Sequence, residues 1–497
     1  MLKTLPAIPR RCLSITRVNL RLVLLTLAAI FASAIAADAQ PSALSQIKSL
    51  YVEPFDGGSQ APALRDSFIH RLRKSGKYTI ADSPEGADAI VKGSGQVWVR
   101  GHFTVNSRAP SANRQTVYGG YLSAEIIGKN HEPLWSYLVT PSKFSWLSID
   151  DDLASNLVKQ LLQARENKIP PEAVPGPMQV LGATNLNAAG ATFPQPLYQR
   201  WFESFEQVQP NVHLNYSAVG SEEGMHLLDE GKVDFAASDV PVLSAQRSEP
   251  GPALRRIATV MGAVVPIYNL SDNPQDLNFT GEILAGIYLG RITKWNDPAI
   301  LKANPGTGLP NTNIVVIHRS DGSGTTHAWC DFLSKASPEW KSTVGTDTTV
   351  KWPTGTAAVG NDGVADAVQK TPNSIGYVEL VYAIRHQLSY GDVRNSAGNY
   401  VHADVNSVAE AAKAAVTSNP DSLISITNPP GKDAYPIATF TWLLFPQQIK
   451  DPAKKTALLG LLRWILTSGQ QECSSLGYTP LPHNLAAQQL DLLNSFR

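Results

Sequence analysis

The stretch His318-Arg319-Ser320-Asp321-Gly322-Ser323-Gly324-Thr325-Thr326 carries the residue types of an oxyanion site. It follows the apolar run Ile314-Val315-Val316-Ile317, the pattern of a buried strand, and precedes His327 to Leu333, where apolar residues recur at helical spacing. A strand, a Gly/Ser/Thr turn and a helix start together favour an anion. The first N–H groups of a helix lack intrahelical partners, the dipole there is positive, and glycine lets backbone approach a ligand closely. Arg319 adds a planar fork of donors that matches an oxyanion in bidentate fashion. Asp321 is out of place beside an anion unless it holds that guanidinium, so Arg319 reads as the ligand and Asp321 as its orienting partner. Taken alone, the motif is equally a polar turn with a helix cap.

Three upstream turns repeat the chemistry. Gly190 and Pro194 flank Thr192 in Asn187 to Tyr198, ahead of Trp201, Phe202 and Phe205 at helical spacing. A strand with Val212, Leu214 and Tyr216 then leads into Gly220-Ser221-Glu222-Glu223-Gly224 and a helix through Met225, Leu227 and Leu228. Lys232 to Asp239 gives another strand and ends on a carboxylate. Strand–turn–helix units whose turns supply hydroxyls and backbone donors point to one shared ligand at the carboxyl ends of parallel strands.

The elements that position these turns need a large core, and 497 residues with 43% hydrophobic and 17% charged content supply two or three packed domains. Lys+Arg and Asp+Glu are equal at 42 each, which argues against a bulk field for nucleic acid or an acidic membrane. Lys3, Arg10, Arg11, Arg17 and Arg21 precede the apolar run Leu22 to Phe31 and the small-residue sites Ala34-Ile35-Ala36 and Ala37-Asp38-Ala39. That pattern predicts a secretory signal peptide over 1–39, cleaved after Ala36 or Ala39, and hence a periplasmic or otherwise exported protein. Of the cysteines, Cys330 and Cys473 lie beyond the leader, each in an apolar helical context that favours a buried free thiol.

Residues 43–166 read as an α+β module of order β-α-β-β-β-β-α. Leu122 to Ile127 and Leu134 to Val139 form a hairpin across Gly128-Lys129-Asn130, and a closing helix turns Leu153, Leu157, Leu161 and Leu162 inward. In element order the module resembles small periplasmic modules of envelope-assembly and lipoprotein families, which suggests docking to an envelope protein. The proline-rich segment from Lys168 to Pro177 marks a linker over 167–180. Residues 181–497 then form a second unit. No His, Cys or carboxylate spacing there suggests a metal, and no nucleophile–base–acid set suggests catalysis; no cofactor is expected.

This second unit resembles the periplasmic phosphate-binding protein family of the high-affinity phosphate ABC transporter. The resemblance runs from about 187 to 482 and rests on several stretches in this order: Ala189-Gly190-Ala191-Thr192-Phe193-Pro194, Gly220-Ser221, Val233 to Asp239, Leu289 to Pro298, Arg319 to Thr325 and Ile375-Gly376-Tyr377-Val378-Glu379. It implies an α/β, two-lobed, type II-like binding fold, with lobe one over about 181–268 and 430–497 and lobe two over about 270–425. It also implies inorganic phosphate as ligand and membrane permease subunits as partners. By the same resemblance Thr192 and Phe193 match the first ligand loop, Ser221 the second, and Asp239 the carboxylate that accepts the phosphate's proton. Arg319 matches the charged ligand, Asp321 its ion-pair partner, and Ser323, Gly324 and Thr325 the helix-start donors. Glu222 and Glu223 depart from the small residues usual there and bring negative charge near the site. The alternatives left open are a phosphate-sensing protein docked through residues 43–166, a binder of another protonated oxyanion such as arsenate, and a phosphomonoesterase.

Overall fold

In the computed structural model, residues 43–105, 113–141, 148–166, 182–240, 253–270, 276–418 and 425–496 are described. The expected signal peptide and the whole of the expected linker lie outside them. Residues 43–166 build their own core on a sheet of β1 (Ser49–Val52), β2 (Asp56–Gly57), β3 (Thr79–Ile80), β4 (Ala89–Val105), β5 (Asn113–Gly128) and β6 (Pro133–Val139). The strands run in the order β3-β1-β4-β5-β6, with β2 against β4. Two helices cover the sheet. Ala61–Ser75 buries Leu64, Phe68 and Leu72 at i, i+4 and i+8, and stops at Gly76, whose left-handed conformation ends the helical hydrogen bonding. Ile149–Glu166 buries Leu153, Leu157 and Leu161, whereas Leu162, expected inward, is half-buried at the edge of the core.

The second unit is organised by a nine-stranded sheet. Its strands are β7 (Thr184–Gly190), β8 (Val212–Ala218), β9 (Phe235–Ser238), β10 (Leu254–Asn269), β12 (Val315–Arg319), β13 (Thr356–Ala358), β14 (Ser374–Glu379), β15 (Ser389–Tyr390) and β18 (Ala438–Pro446). A small sheet of β11 (Asn278–Phe279), β16 (Asp392–Arg394) and β17 (Tyr400–Val401) stands beside it. β10 is buried without interruption from Ile257 to Tyr268. Continuous burial of this kind, in place of alternation, is what a strand covered on both faces requires.

β10 also divides the unit. Up to Ala263 it pairs antiparallel with β18, and from Val264 it pairs with β14. Lobe one therefore holds β7, β8, β9 and β18, and lobe two holds β12, β13 and β14. The crossing falls inside β10 at Ala263/Val264, several residues before the expected boundary near 268–270, because one strand serves both lobes. Within lobe one β8 and β9 run parallel to β7, and within lobe two β13 and β14 run parallel to β12. Each lobe thus turns the carboxyl ends of parallel strands toward the other.

Gly190 ends β7 with φ at 142°, and a Cβ there would sit 2.1 Å from the Ala237 carbonyl oxygen. Gly190→Ala meets both a left-handed backbone and a backbone atom that cannot swing aside. The expected cost is on the order of 3 kcal/mol, read as a lowered urea midpoint with an unchanged slope. Both remaining cysteines, Cys330 and Cys473, are buried and free. Among the described residues no helix is long and apolar enough to cross a membrane.

Candidate functional site

Five turns converge where the lobes meet. From lobe one come the turn after β7 with Thr192 and Phe193, the start of the helix Ser221–Asp229 after β8, and Asp239 after β9. From lobe two come Arg319 to Ser323 with the helix Gly324–Ala336 after β12, and the start of the helix Gly360–Lys370 after β13. Thr192, Phe193, Ser221, Asp239, Arg319, Ser323, Gly324 and Thr325 are all buried. The structure brings them together from residues more than a hundred positions apart.

The cleft is closed. The Gly324 N–H donates to Ser221 Oγ across it at 3.2 Å, and the Glu222 N–H donates to the Gly322 carbonyl at 3.2 Å. A Cβ on Gly324 would lie 2.6 Å from Asp239 Cβ and 2.7 Å from Ser221 Oγ, so only glycine lets the helix start come this near. Ser323 caps that helix, its Oγ accepting from the Thr326 N–H at 3.1 Å, while its own N–H donates to the Thr348 carbonyl at 3.0 Å.

Two charged groups dominate. Arg319 has a side chain only 1% exposed and is gripped by Asp321, with Nε donating to Oδ1 at 2.8 Å and NH2 donating to Oδ2. Its NH1 is buried and has no partner among the described residues. Burial alone would raise the Asp321 carboxyl. The guanidinium and the Gly360 N–H, which donates to it at 3.0 Å, outweigh that and hold it below its ordinary value. Asp321 is therefore an ionised clamp that aims the remaining donor of Arg319.

Asp239 accepts from the Thr441 hydroxyl through Oδ1 at 2.6 Å, while Oδ2 is buried and has no partner among the described residues. Burial pushes its carboxyl up to about 7, against the opposing pull of Thr441 and Arg319. An unpartnered buried acceptor costs about 1–3 kcal/mol, more when charged, so this oxygen suits a ligand that donates a proton to it.

Thr192 and Thr325 are joined by Asn361, whose Nδ2 donates to the two hydroxyls at 2.8 and 3.2 Å. The Phe193 carbonyl accepts from Tyr478 OH at 2.7 Å, and the Phe193 ring is fully buried. Behind Arg319, Tyr377 stacks on Trp329 with centroids 4.9 Å apart. Its hydroxyl bonds Thr326 Oγ1 at 2.7 Å and accepts the Arg319 N–H at 3.3 Å. His318 stacks on Trp352 at 4.8 Å, and burial lowers its pKa, the setting of a packed neutral ring. No group of three or more His, Cys, Asp or Glu among the described residues is placed to hold a metal ion.

The glutamates at 222 and 223 are both exposed. Glu222 lies against Gly322, where an added Cβ would sit 2.1 Å from its Oε2, and that oxygen accepts from the hydroxyls of Thr348 and Thr349 at 3.1 Å each. Its charge is spent as a latch between lobes at the cleft mouth. Sequence reasoning missed Asn361, Gly360 and Thr441. The first two carried a usable signal, since Val359-Gly360-Asn361 is another glycine turn opening a helix. Thr441 carried none, because a threonine in an apolar strand looks like any other.

Chemically, hydroxyls, helix-start N–H groups and one guanidinium suit an oxyanion, and the carboxylate suits one that carries a proton. A PBP superfamily domain matches residues 179–468, which include every site residue named above except Tyr478. The phosphate-binding protein PstS of Xylella fastidiosa (strain Temecula1) is 42% identical over 308 residues, spanning 62% of this chain and 84% of that protein. The phosphate-binding protein PstS of Pasteurella multocida is 39% identical over 308 residues, spanning 61% and 88%. A solved structure of the phosphate binding protein from Stenotrophomonas maltophilia aligns with a TM-score of 0.47 at 20% identity, over 62% of this chain and 93% of that one.

Proposed function

The chain belongs to the PstS phosphate-binding proteins of the PBP superfamily, and we propose that it captures inorganic phosphate between its lobes and delivers it to an ABC permease. The observation that carries the site reading is a pair of orphans in one cleft. Asp239 Oδ2 is an acceptor and Arg319 NH1 a donor, both buried and both without a partner among the described residues. A protonated phosphate supplies the complement to each, an oxygen for the guanidinium and a hydroxyl for the carboxylate. Thr192, Phe193, Ser221, Ser323, Gly324 and Thr325 surround it with hydroxyl and backbone donors.

Ligand closes the cleft because its contacts to the two lobes are made together only in that state. The role is binding, not phosphate-ester hydrolysis. Ser221 Oγ receives the N–H groups of Gly324 and Asp239 at 3.2 and 3.4 Å, the surroundings of a ligand hydroxyl and not of an activated nucleophile. The leader over 1–39 directs export, which puts the protein on the side of the membrane where a permease receives phosphate. An envelope partner for residues 43–166 has to use surfaces other than those of β5 and β6 that pack on the chain's own second unit.

Titration calorimetry of the mature protein at neutral pH tests the reading. Phosphate is expected to give saturable heat and sulfate none, with arsenate, which offers the same oxygens and proton, competing with phosphate. Absence of phosphate heat overturns it.

A further inference from the structure

Residues 43–166 touch both lobes of the second unit. On lobe one, Glu125 of β5 accepts from Arg200 NH2 at 2.8 Å and from Ser475 Oγ at 2.7 Å, and Ser136 of β6 accepts the Ser475 N–H at 3.1 Å. Tyr121 and Leu138 pack against the core of the second unit. On lobe two, Arg100 of β4 donates through NH2 to Asp276 Oδ1 at 2.7 Å and to Ser389 Oγ at 3.0 Å. The Arg100 and Asp276 side chains are only 17% and 18% exposed. Thr140 is a hydrogen-bond partner of Tyr390, next to Ser389 in the strand that pairs with β10.

These contacts coexist with a cleft whose lobes bond each other directly. Asp276 adjoins Leu277, whose N–H donates to Tyr268 OH at 2.9 Å, and Tyr268 lies four residues beyond the β10 crossing on the lobe-two side. At about 3.3 Å per strand residue that is a lever of roughly 13 Å. A hinge rotation of about 20° moves Asp276 by on the order of 4 Å relative to a module seated on lobe one, more than an ion pair tolerates.

We propose that the amino-terminal module is a strap across the two lobes, and that the Arg100–Asp276–Ser389 contact favours the closed state and so raises affinity for the ligand. The effect on affinity rests on the phosphate reading above; the effect on lobe closure does not. Arg100 acts through the lobe angle and touches no ligand. A contact made only in the closed state enlarges the binding-competent fraction, and apparent affinity rises by the same factor.

The test uses the mature full chain carrying spin labels at Lys232→Cys on lobe one and Lys351→Cys on lobe two. Both positions are exposed, whereas Cys330 and Cys473 are buried from the label. Without ligand, Arg100→Ala is expected to shift the interlabel distances to longer values, and calorimetry with inorganic phosphate to give about five- to tenfold weaker binding. The charge-exchanged pair Arg100→Asp with Asp276→Arg is expected to recover both. Should Arg100→Ala fail to fold, Ser389→Ala removes one hydrogen bond and is expected to give a smaller shift in the same direction. Unchanged distances and affinity in a folded Arg100→Ala protein overturn the strap. If the parent takes up no phosphate, the functional reading fails while the label distances still decide the strap.

Discussion

Arg319→Ala is expected to weaken phosphate binding by about 10³-fold or more, the largest loss of any single substitution in the cleft. Each charge-assisted hydrogen bond from the guanidinium is worth about 1.5–3 kcal/mol. Removing it also strands Asp321, which is then an ionised neighbour facing an anion with no cation between them. Arg319→Lys separates the two contributions. An ammonium keeps the charge but cannot bond both Asp321 oxygens while pointing a third donor at the ligand. Its affinity is expected to fall between parent and alanine variant. Asp321→Asn keeps the guanidinium but loosens its aim, with an expected loss of about tenfold. Calorimetry on the three variants reads the order. An alanine variant that binds within a few-fold of the parent would remove Arg319 from the site.

Asp239→Asn is expected to change which anion binds. The carboxylate accepts a proton from phosphate and repels a dianion that has none to give. A site built to bond a donor rejects a ligand lacking it by about 10⁴-fold. The amide offers N–H donors in place of the repelling charge, so sulfate binding is expected to appear as phosphate binding weakens. Sulfate heat in the variant and none in the parent is the decisive pair of results. If sulfate stays excluded, discrimination lies elsewhere in the cleft.

The same residue gives a pH signature without ligand. Its carboxyl is raised from an ordinary 3.8 to about 7, so the folded protein holds that proton more tightly than the unfolded chain does. The stabilisation is complete below about 3.8, is lost as pH rises toward 7 and changes no further above it, about 4 kcal/mol in all. Asp239→Asn is expected to flatten that part of the stability curve. Glu472, pushed up to about 7 mainly by burial, contributes a slope of the same sign that persists in the variant. Phosphate opposes the decline, since its proton gives the ionised carboxylate the partner the protein withholds.

Much of this protein was legible along the chain because the chemistry is local. A glycine turn between an apolar run and a helical period specifies a strand, a close approach and a set of free N–H groups in one short stretch. Arg319 and Asp321 could be paired on paper because a single residue separates them. β10 shows where such reading stops. The lobe bounds put the boundary near 268–270, and only the pairing with β18 up to Ala263 and with β14 from Val264 located the crossing between lobes.

The sequence by itself determined the anion turns, their residue types and the separate character of residues 43–166, since these depend on neighbours in the chain. The tertiary structure alone decided four things. Asn361 joins Thr192 to Thr325, Thr441 holds one oxygen of Asp239, Glu222 bonds two threonines of the other lobe, and Arg100 reaches Asp276 176 residues away. Each is a contact between segments far apart in the chain, which no local spacing pairs. Which partner satisfies a buried polar group depends on packing, and packing is a property of the folded chain.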